Sequence, residues 1–274
     1  MEVSPIELIA LDLDGTLLNT NEGVSSENRA AISEALAAGV RVVIVTGRGA
    51  DTPAHIAREL NLNLPMICAH GAHTKNFISG KVFGHIPVPL QYAKPMLEFA
   101  EANGLDTAVY LEESFWRLAG APRYLDDMRG PYWRDVETFT DVLHQAPTFI
   151  RFFGRDSVAA IRTSFADLPV HFKYETWGDF EELAVTSMQA TKKNALKHLC
   201  DDFRIQSKNV LAIGDSRNDV PMLRWAGIGV AMDNALPEVK AAVPNLTASN
   251  DEDGVARAIR RFVLDPLEEE KETA

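Results

Sequence analysis

The sequence predicts an α/β fold, a doubly wound parallel sheet interrupted by an inserted α+β domain. Three observations predict it. Short apolar runs alternate with helical stretches from residue 6 to about residue 72. That rhythm breaks over about 83–184, where strands outnumber long crossovers. It then returns and continues to about residue 262. Alternating strand and helix is the pattern of right-handed crossovers in a parallel sheet, and strand-rich stretches suit an antiparallel one. The expected division is a core of residues 1–82 and 185–274 and an insert of residues 83–184.

The elements follow in order. Ile6–Leu13 is apolar and stops at Asp and Gly, as a buried parallel strand does. Ser25 or Ser26 can cap a helix over Asn28–Ala38, which Gly39 stops. Val40–Val45 is a valine-rich strand ending at Thr46-Gly47. A helix over about Asp51–Leu60 and a third strand, Met66–Ala69, come next, the strand ending at His70-Gly71. In the insert, Pro87 and Pro89 precede a helix over Tyr92–Asn103. Strands are expected at Val109–Glu113, Phe149–Phe153, Val170–Tyr174 and Phe180–Val185, with a bend near Gly120–Pro122 and a helix at Ser157–Phe165. The returning rhythm gives a helix at Lys192–Cys200 and a strand at Asn209–Ile213 that ends at Gly214-Asp215. A helix at Val220–Trp225, a strand at Ile228–Met232 and a closing helix at Asp253–Phe262 complete it, before a charged tail, Glu268–Glu272.

Composition narrows the partners. With 27 basic and 39 acidic residues the net charge is −12, which repels nucleic acid and anionic membranes. A small anionic substrate then requires local positive charge. Cys68 and Cys200 lie far apart and form no CxxC pair, so they read as inert thiols of a reducing compartment. No basic segment opens the chain and no run of about 18 apolar residues occurs. The expected location is the cytoplasm. No feature sets an oligomeric state.

Ligands of open α/β sheets sit beyond the carboxyl ends of the strands, and the polar clusters of this sequence fall at those ends. Asp12 and Asp14, two apart on an extended chain, are expected to point the same way. Two such carboxylates need a proton or a cation between them, and a hard cation such as Mg2+ fits oxygen ligands. Gly15 permits a tight turn. Thr46-Gly47, followed by Arg48, offers a hydroxyl and backbone N–H groups to phosphate oxygens. His70 ends the third strand. Asp215 is placed to complete a metal site opposite Asp12. Asp219 is placed to cap the next helix and support the site. Lys192, opening a helix after Thr191, can neutralise a phosphoryl group. A lone Asp-x-Asp turn or a lone Thr-Gly carries little; clusters at four strand ends carry the argument.

Together these segments resemble the haloacid dehalogenase superfamily of phosphohydrolases, in its Cof-type branch with a large α/β cap. Asp-Leu-Asp-Gly-Thr-Leu-Leu (12–18) is similar to the first family motif and Val-Thr-Gly-Arg (45–48) to the second. Lys192 before Ala195-Leu196 is similar to the third, and Gly-Asp-Ser-Arg-Asn-Asp-Val-Pro-Met-Leu (214–223) to the fourth. The segments at 231–235 and 249–255 resemble later family segments. Order and spacing match over the whole core, while the cap is matched by position and length.

The resemblance implies a Rossmann-like core and a phosphatase acting on a small phosphorylated metabolite through an aspartyl phosphate. Asp12 is the implied nucleophile and Asp14 the implied acid and base. Asp12, the Asp14 carbonyl and Asp215 are the implied Mg2+ ligands, Thr46, Gly47 and Lys192 the phosphate contacts, and Asn218 and Asp219 the supports. Three departures stand out. Lys193 replaces a usual glycine and rivals Lys192, His70 replaces a usual asparagine, and Asp233 replaces a glycine. Arg48, His70, Arg151 and Lys173 are candidate substrate contacts. In the cap they are joined by Tyr110, Trp116, Arg117, Arg123, Trp133 and Trp177. Two rivals remain open at this point. One is a sugar phosphomutase using the same carboxylates. The other is a non-catalytic phosphate-binding domain, against which the presence of Asp12, Asp14 and Asp215 counts.

Overall fold

The structure, a computed structural model, describes residues 5–49, 51–111, 113–120, 132–177 and 180–267. The expected bend at Gly120–Pro122 falls largely outside these residues. Arg123, the Trp177 side chain and the charged tail lie outside them altogether. The chain divides into two compact units. The first comprises Met1–Arg48, Thr52–Gly84 and Thr191–Ala274; the second comprises Gly49–Asp51 and His85–Ala190.

In the first unit, β1 (Leu8–Leu11), α1 (Ser26–Ala37), β2 (Arg41–Ile44) and α2 (Asp51–Glu59) lead to β3 (Met66–Cys68), β4 (His73–Lys75) and β5 (Val82–His85). In the second unit follow α3 (Leu90–Ala102), β6 (Thr107–Leu111), β7 (Ser114–Leu118), β8 (Trp133–Val136), β9 (Phe149–Phe153), α4 (Arg155–Ser164), β10 (Val170–Trp177) and β11 (Phe180–Ser187). The first unit resumes with α5 (Lys192–Phe203), β12 (Val210–Gly214), α6 (Val220–Trp225), β13 (Ile228–Ala231), α7 (Pro237–Lys240), β14 (Asn245–Leu246) and α8 (Gly254–Ile259).

The first unit's main sheet runs β14-β13-β12-β1-β2, with every pair parallel. Its central strands β1 and β12 read as unbroken apolar runs because both faces are covered. Ile9, Leu11, Leu211 and Ile213 pack with Ala31 and Ile32 of α1 and with Val255 and Ile259 of α8. The intervening Leu8, Ala10, Val210 and Ala212 pack with Leu196 and Leu199 of α5 and Met222 and Leu223 of α6. Strand periodicity of two thus feeds two cores from one run of residues. A bridge between Val45 and Ile67 continues the parallel order towards β3, which belongs to a small sheet, β3-β4-β5. Ser25 caps α1, its hydroxyl accepting from Asn28 N at 3.1 Å. Cys68 and Cys200 are buried free thiols; burial, with Asp201 nearby, pushes Cys200 up to about 12. No helix among the described residues is long and apolar enough to cross a membrane.

The second unit is a sheet in the order β10-β11-β9-β6-β7-β8, antiparallel except for the parallel β7–β8 pair. Val109, Leu111, Ile150, Phe152, Leu183 and Val185 form one core with Met96 and Leu97 of α3 and Val158 and Ile161 of α4. Arg151 alternates onto the other face, between Ala108 and Ala184 of the neighbouring strands. These small neighbours leave room for its guanidinium, which donates from Nε and Nη2 to both carboxylate oxygens of Glu182. Its guanidinium carbon also lies 5.1 Å from the Phe153 ring centre. Arg151 therefore has a structural partner within its own sheet.

The observed boundaries differ from the expected 83–184. β5 pairs within the first unit's small sheet, so the division falls after Gly84. β11 pairs with β10 along its whole length to Ser187, so the second unit cannot end at 184.

The Arg151–Glu182 pair generates a prediction. Glu182→Ala leaves a half-buried guanidinium without its carboxylate and should destabilise the protein by about 1–3 kcal/mol in urea unfolding. An Arg151→Met, Glu182→Leu double variant should recover most of that loss.

Candidate active site

β1 delivers Asp12 at its carboxyl end, where the Asp12 amide donates to Ile213 O at 3.0 Å. The chain then turns. Asp14 is extended and Gly15 is left-handed at φ 70°. A Cβ on Gly15 would lie 2.4 Å from an Asp215 carboxylate oxygen, so this approach requires glycine. Thr16 Oγ1 donates to Asp215 Oδ1 at 3.2 Å, which ties the turn to the fourth cluster.

The two-residue spacing predicts a shared side for Asp12 and Asp14, but the structure gives them different partners. Asp12 is buried, whereas the Asp14 side chain is 52% exposed. Arg48 reaches Asp14 with Nε at 3.0 and 2.9 Å from its two oxygens and Nη2 at 2.5 Å from Oδ1. The departure from strand geometry between the two aspartates gives Asp14 this separate partner. Arg48 was expected only as a substrate contact.

Lys192 is buried at the first position of α5, just after Thr191, whose hydroxyl accepts from Asn194 N at 3.1 Å. Lys192 Nζ donates to Asp12 Oδ1 at 2.5 Å and to Asp219 Oδ1 at 2.7 Å. Of the rival lysines it is therefore Lys192 that enters the cluster, while Lys193 is only half-buried. Register along the first turn of α5 separates them.

β12 ends at Gly214, where a Cβ would lie 2.6 Å from the Asp219 carboxylate carbon. Asp219 Oδ2 accepts from the amides of Asp215, at 3.2 Å, and Ser216, at 3.0 Å. Asp219 was expected to cap α6; its side chain makes no such bond and folds back onto this loop instead. Ser216 Oγ donates to Asn218 Oδ1 at 2.7 Å.

Thr46 is buried. Its amide donates to Ile67 O at 2.8 Å, and its hydroxyl accepts from the Arg48 amide at 3.1 Å. Asn234 and Asn250 received no role from the sequence. Asn234 Nδ2 donates to Gly15 O at 2.7 Å, and Asn250 Nδ2 to Leu18 O at 2.9 Å, so both brace the turn that carries Asp14. The only signal was their place in the segments at 231–235 and 249–255. Asp233, in place of a glycine, pairs with Lys240. Arg151 and Lys173 belong to the second unit.

Asp12, Asp215 and Asp219 each offer a carboxylate oxygen, all within 4.8 Å of one another. Burial raises the Asp12 carboxyl well above the usual range, and Asp219 adds to it. Burial and then Asp219 push Asp215 up to about 6. Burial opposes the charge on Lys192, but Asp12 and Asp219 outweigh it and hold the ammonium protonated. When ionised, three carboxylates and one ammonium leave an excess of two negative charges. An all-oxygen site with that deficit fits one hard divalent cation.

A parallel α/β core with buried carboxylates and a lysine at its strand ends suits an enzyme that acts on phosphate esters, and comparison with known proteins places the chain in that class. A haloacid dehalogenase-like hydrolase profile matches residues 9–259. The chain is 31% identical to the 5-amino-6-(5-phospho-D-ribitylamino)uracil phosphatase YcsE of Bacillus subtilis, over 94% of this chain and 96% of that one. It is 25% identical to the pyridoxal phosphate phosphatase YbhA of Escherichia coli, over 94% and 98%. The crystal structure of a haloacid dehalogenase-like hydrolase from Bacteroides thetaiotaomicron matches with a TM-score of 0.83 at 27% identity, covering 93% of this chain and 99% of that one. The chain belongs to the haloacid dehalogenase-like hydrolase family and is a phosphatase.

The raised Asp215 carboxyl gives a pH prediction. A carboxyl whose folded pKa exceeds its unfolded value stabilises most at low pH and loses that contribution as pH rises through the folded value. Metal-free wild type should therefore lose thermal stability relative to Asp215→Asn between about pH 4 and about pH 6. Mg2+ added at pH 7.5 should restore wild type but not the variant. A midpoint difference that stays flat across this window contradicts the assignment.

Proposed function

We propose that this phosphatase hydrolyses a small phosphorylated metabolite, with Mg2+ as cofactor and Asp12 as nucleophile. The observation that carries this reading is the buried Lys192 ammonium on Asp12 Oδ1, beside Asp215 and Asp219. Lys192 orients Asp12 and leaves its second oxygen to attack phosphorus. As the Asp12–phosphorus bond forms, the ester bond breaks, and Asp14 gives its proton to the leaving oxygen. Asp14 then takes a proton from water as that water attacks the aspartyl phosphate, which frees Asp12 and phosphate. Arg48 donates to both Asp14 oxygens, so this pair holds Asp14 as the acceptor and opens when Asp14 carries the proton. Thr46, Gly47 and Lys192 face the charge of the transferring group. Asp12 and Asp215 would hold the cation, with the Asp14 carbonyl as a further oxygen; bound there, Mg2+ would offset repulsion between carboxylate and phosphate.

The named relatives act as phosphatases, which favours hydrolysis over phosphate transfer within a sugar. Their substrates, a phosphoribitylamino-uracil and pyridoxal phosphate, support a phosphorylated small molecule here. We assign the choice among such molecules to the second unit, because the residues named above account only for the phosphoryl group.

Asp12→Asn should lower kcat by at least about a thousandfold while thermal unfolding stays cooperative. The measurement is phosphate release with Mg2+ from a panel of sugar phosphates, nucleotides, pyridoxal phosphate and 5-amino-6-(5-phospho-D-ribitylamino)uracil. Wild-type turnover by the variant, or turnover undiminished by EDTA, overturns this reading.

A further inference from the structure

Ala69, His70 and Gly71 are three consecutive residues with positive φ, at 50°, 57° and 98°. Side-chain-bearing residues rarely adopt this conformation, and a structure keeps it only where surrounding contacts impose it. The contacts here come from three segments of the first unit. The Ala69 amide donates to Arg48 O at 2.8 Å and the His70 amide to Thr46 O at 3.1 Å. Gly71 backs onto the residue before Lys192, where a Cβ would lie 2.3 Å from Thr191 O. The buried His70 ring covers Gly47, so closely that a Cβ on Gly47 would lie 2.4 Å from a ring carbon. Its Nδ1 also lies 3.4 Å from Asn218 Nδ2.

The ring therefore occupies the space that a side chain at residue 47 would take. It also begins a chain of polar contacts that passes through Asn218 and Ser216 to Asp219, then Lys192, and ends on Asp12. We propose that His70 is a positioning residue, which sets the spacing between the Gly47 backbone and Asn218 and so the grip on the phosphoryl group. This rests on the reading of Thr46-Gly47 as a phosphate contact.

The test compares His70→Gly, which keeps the left-handed turn and removes the ring, with His70→Asn, which tolerates that turn but leaves the space over Gly47 open. The readouts are calorimetric binding of inorganic phosphate with MgCl2, KM and kcat for p-nitrophenyl phosphate, and the thermal midpoint. Both variants should bind phosphate more weakly and raise KM, His70→Gly by about tenfold, with a smaller change in kcat. If His70→Gly does not fold, the same rise in His70→Asn decides. Unchanged phosphate affinity and KM in the folded variants, with only kcat or the midpoint lowered, overturn the proposal and leave His70 as filler. Thr46→Ala separates this failure from that of the underlying reading. If Thr46→Ala also leaves phosphate binding unchanged, Thr46-Gly47 is not the phosphate contact and both fall.

Discussion

Lys192 Nζ lies between the carboxylates of Asp12 and Asp219, out of solvent. Burying that many charges is costly, and removing one member of such a group costs about 3–5 kcal/mol because the others remain unpaired. The arrangement therefore constrains everything around it. Thr191 must cap α5 so that Lys192 enters at its first turn. Gly214 must lack a side chain so that Asp219 can fold back. The charge left over after Lys192 is counted is what gives the site its demand for a cation.

The fold meets these demands by bringing distant segments to one edge. β1 and β12 are adjacent and parallel, so Asp12 and Asp215 leave the sheet side by side although some two hundred residues separate them. β2 lies on the other side of β1 and carries Thr46 and Arg48 to the same edge. A parallel sheet buried on both faces is rigid, and that rigidity lets a few hydrogen bonds fix the loops beyond it. Asn234 and Asn250 extend the same bracing to the Asp14 turn.

Much of this was legible in the sequence, for a physical reason. Buried parallel strands must be apolar throughout, so Leu8–Leu11 and Val210–Gly214 announce themselves, and polar residues at their ends stand out. Other features depended on backbone geometry that periodicity does not encode. The Arg48–Asp14 pair exists because the chain turns after Asp12. Lys192 rather than Lys193 enters the cluster because of helix register. β4, β7 and β8 are short and of mixed polarity, so the pattern passed over them. Arg151 reads as a possible ligand contact in sequence, yet Glu182, two residues from its partner Ala184 on the next strand, takes its guanidinium. His70 falls between these cases: its place at a strand end was visible, but its left-handed backbone and its cover of Gly47 were not.

The most direct measurement is a crystal structure of the protein with Mg2+ and beryllium trifluoride, a mimic of a phosphoryl group on a carboxylate. The account predicts the trifluoride bonded to the Asp12 oxygen that Lys192 leaves free, with Lys192 still hydrogen-bonded to Asp12 and the cation between Asp12 and Asp215. A trifluoride on another carboxylate, or a cation bound away from Asp215, would contradict it.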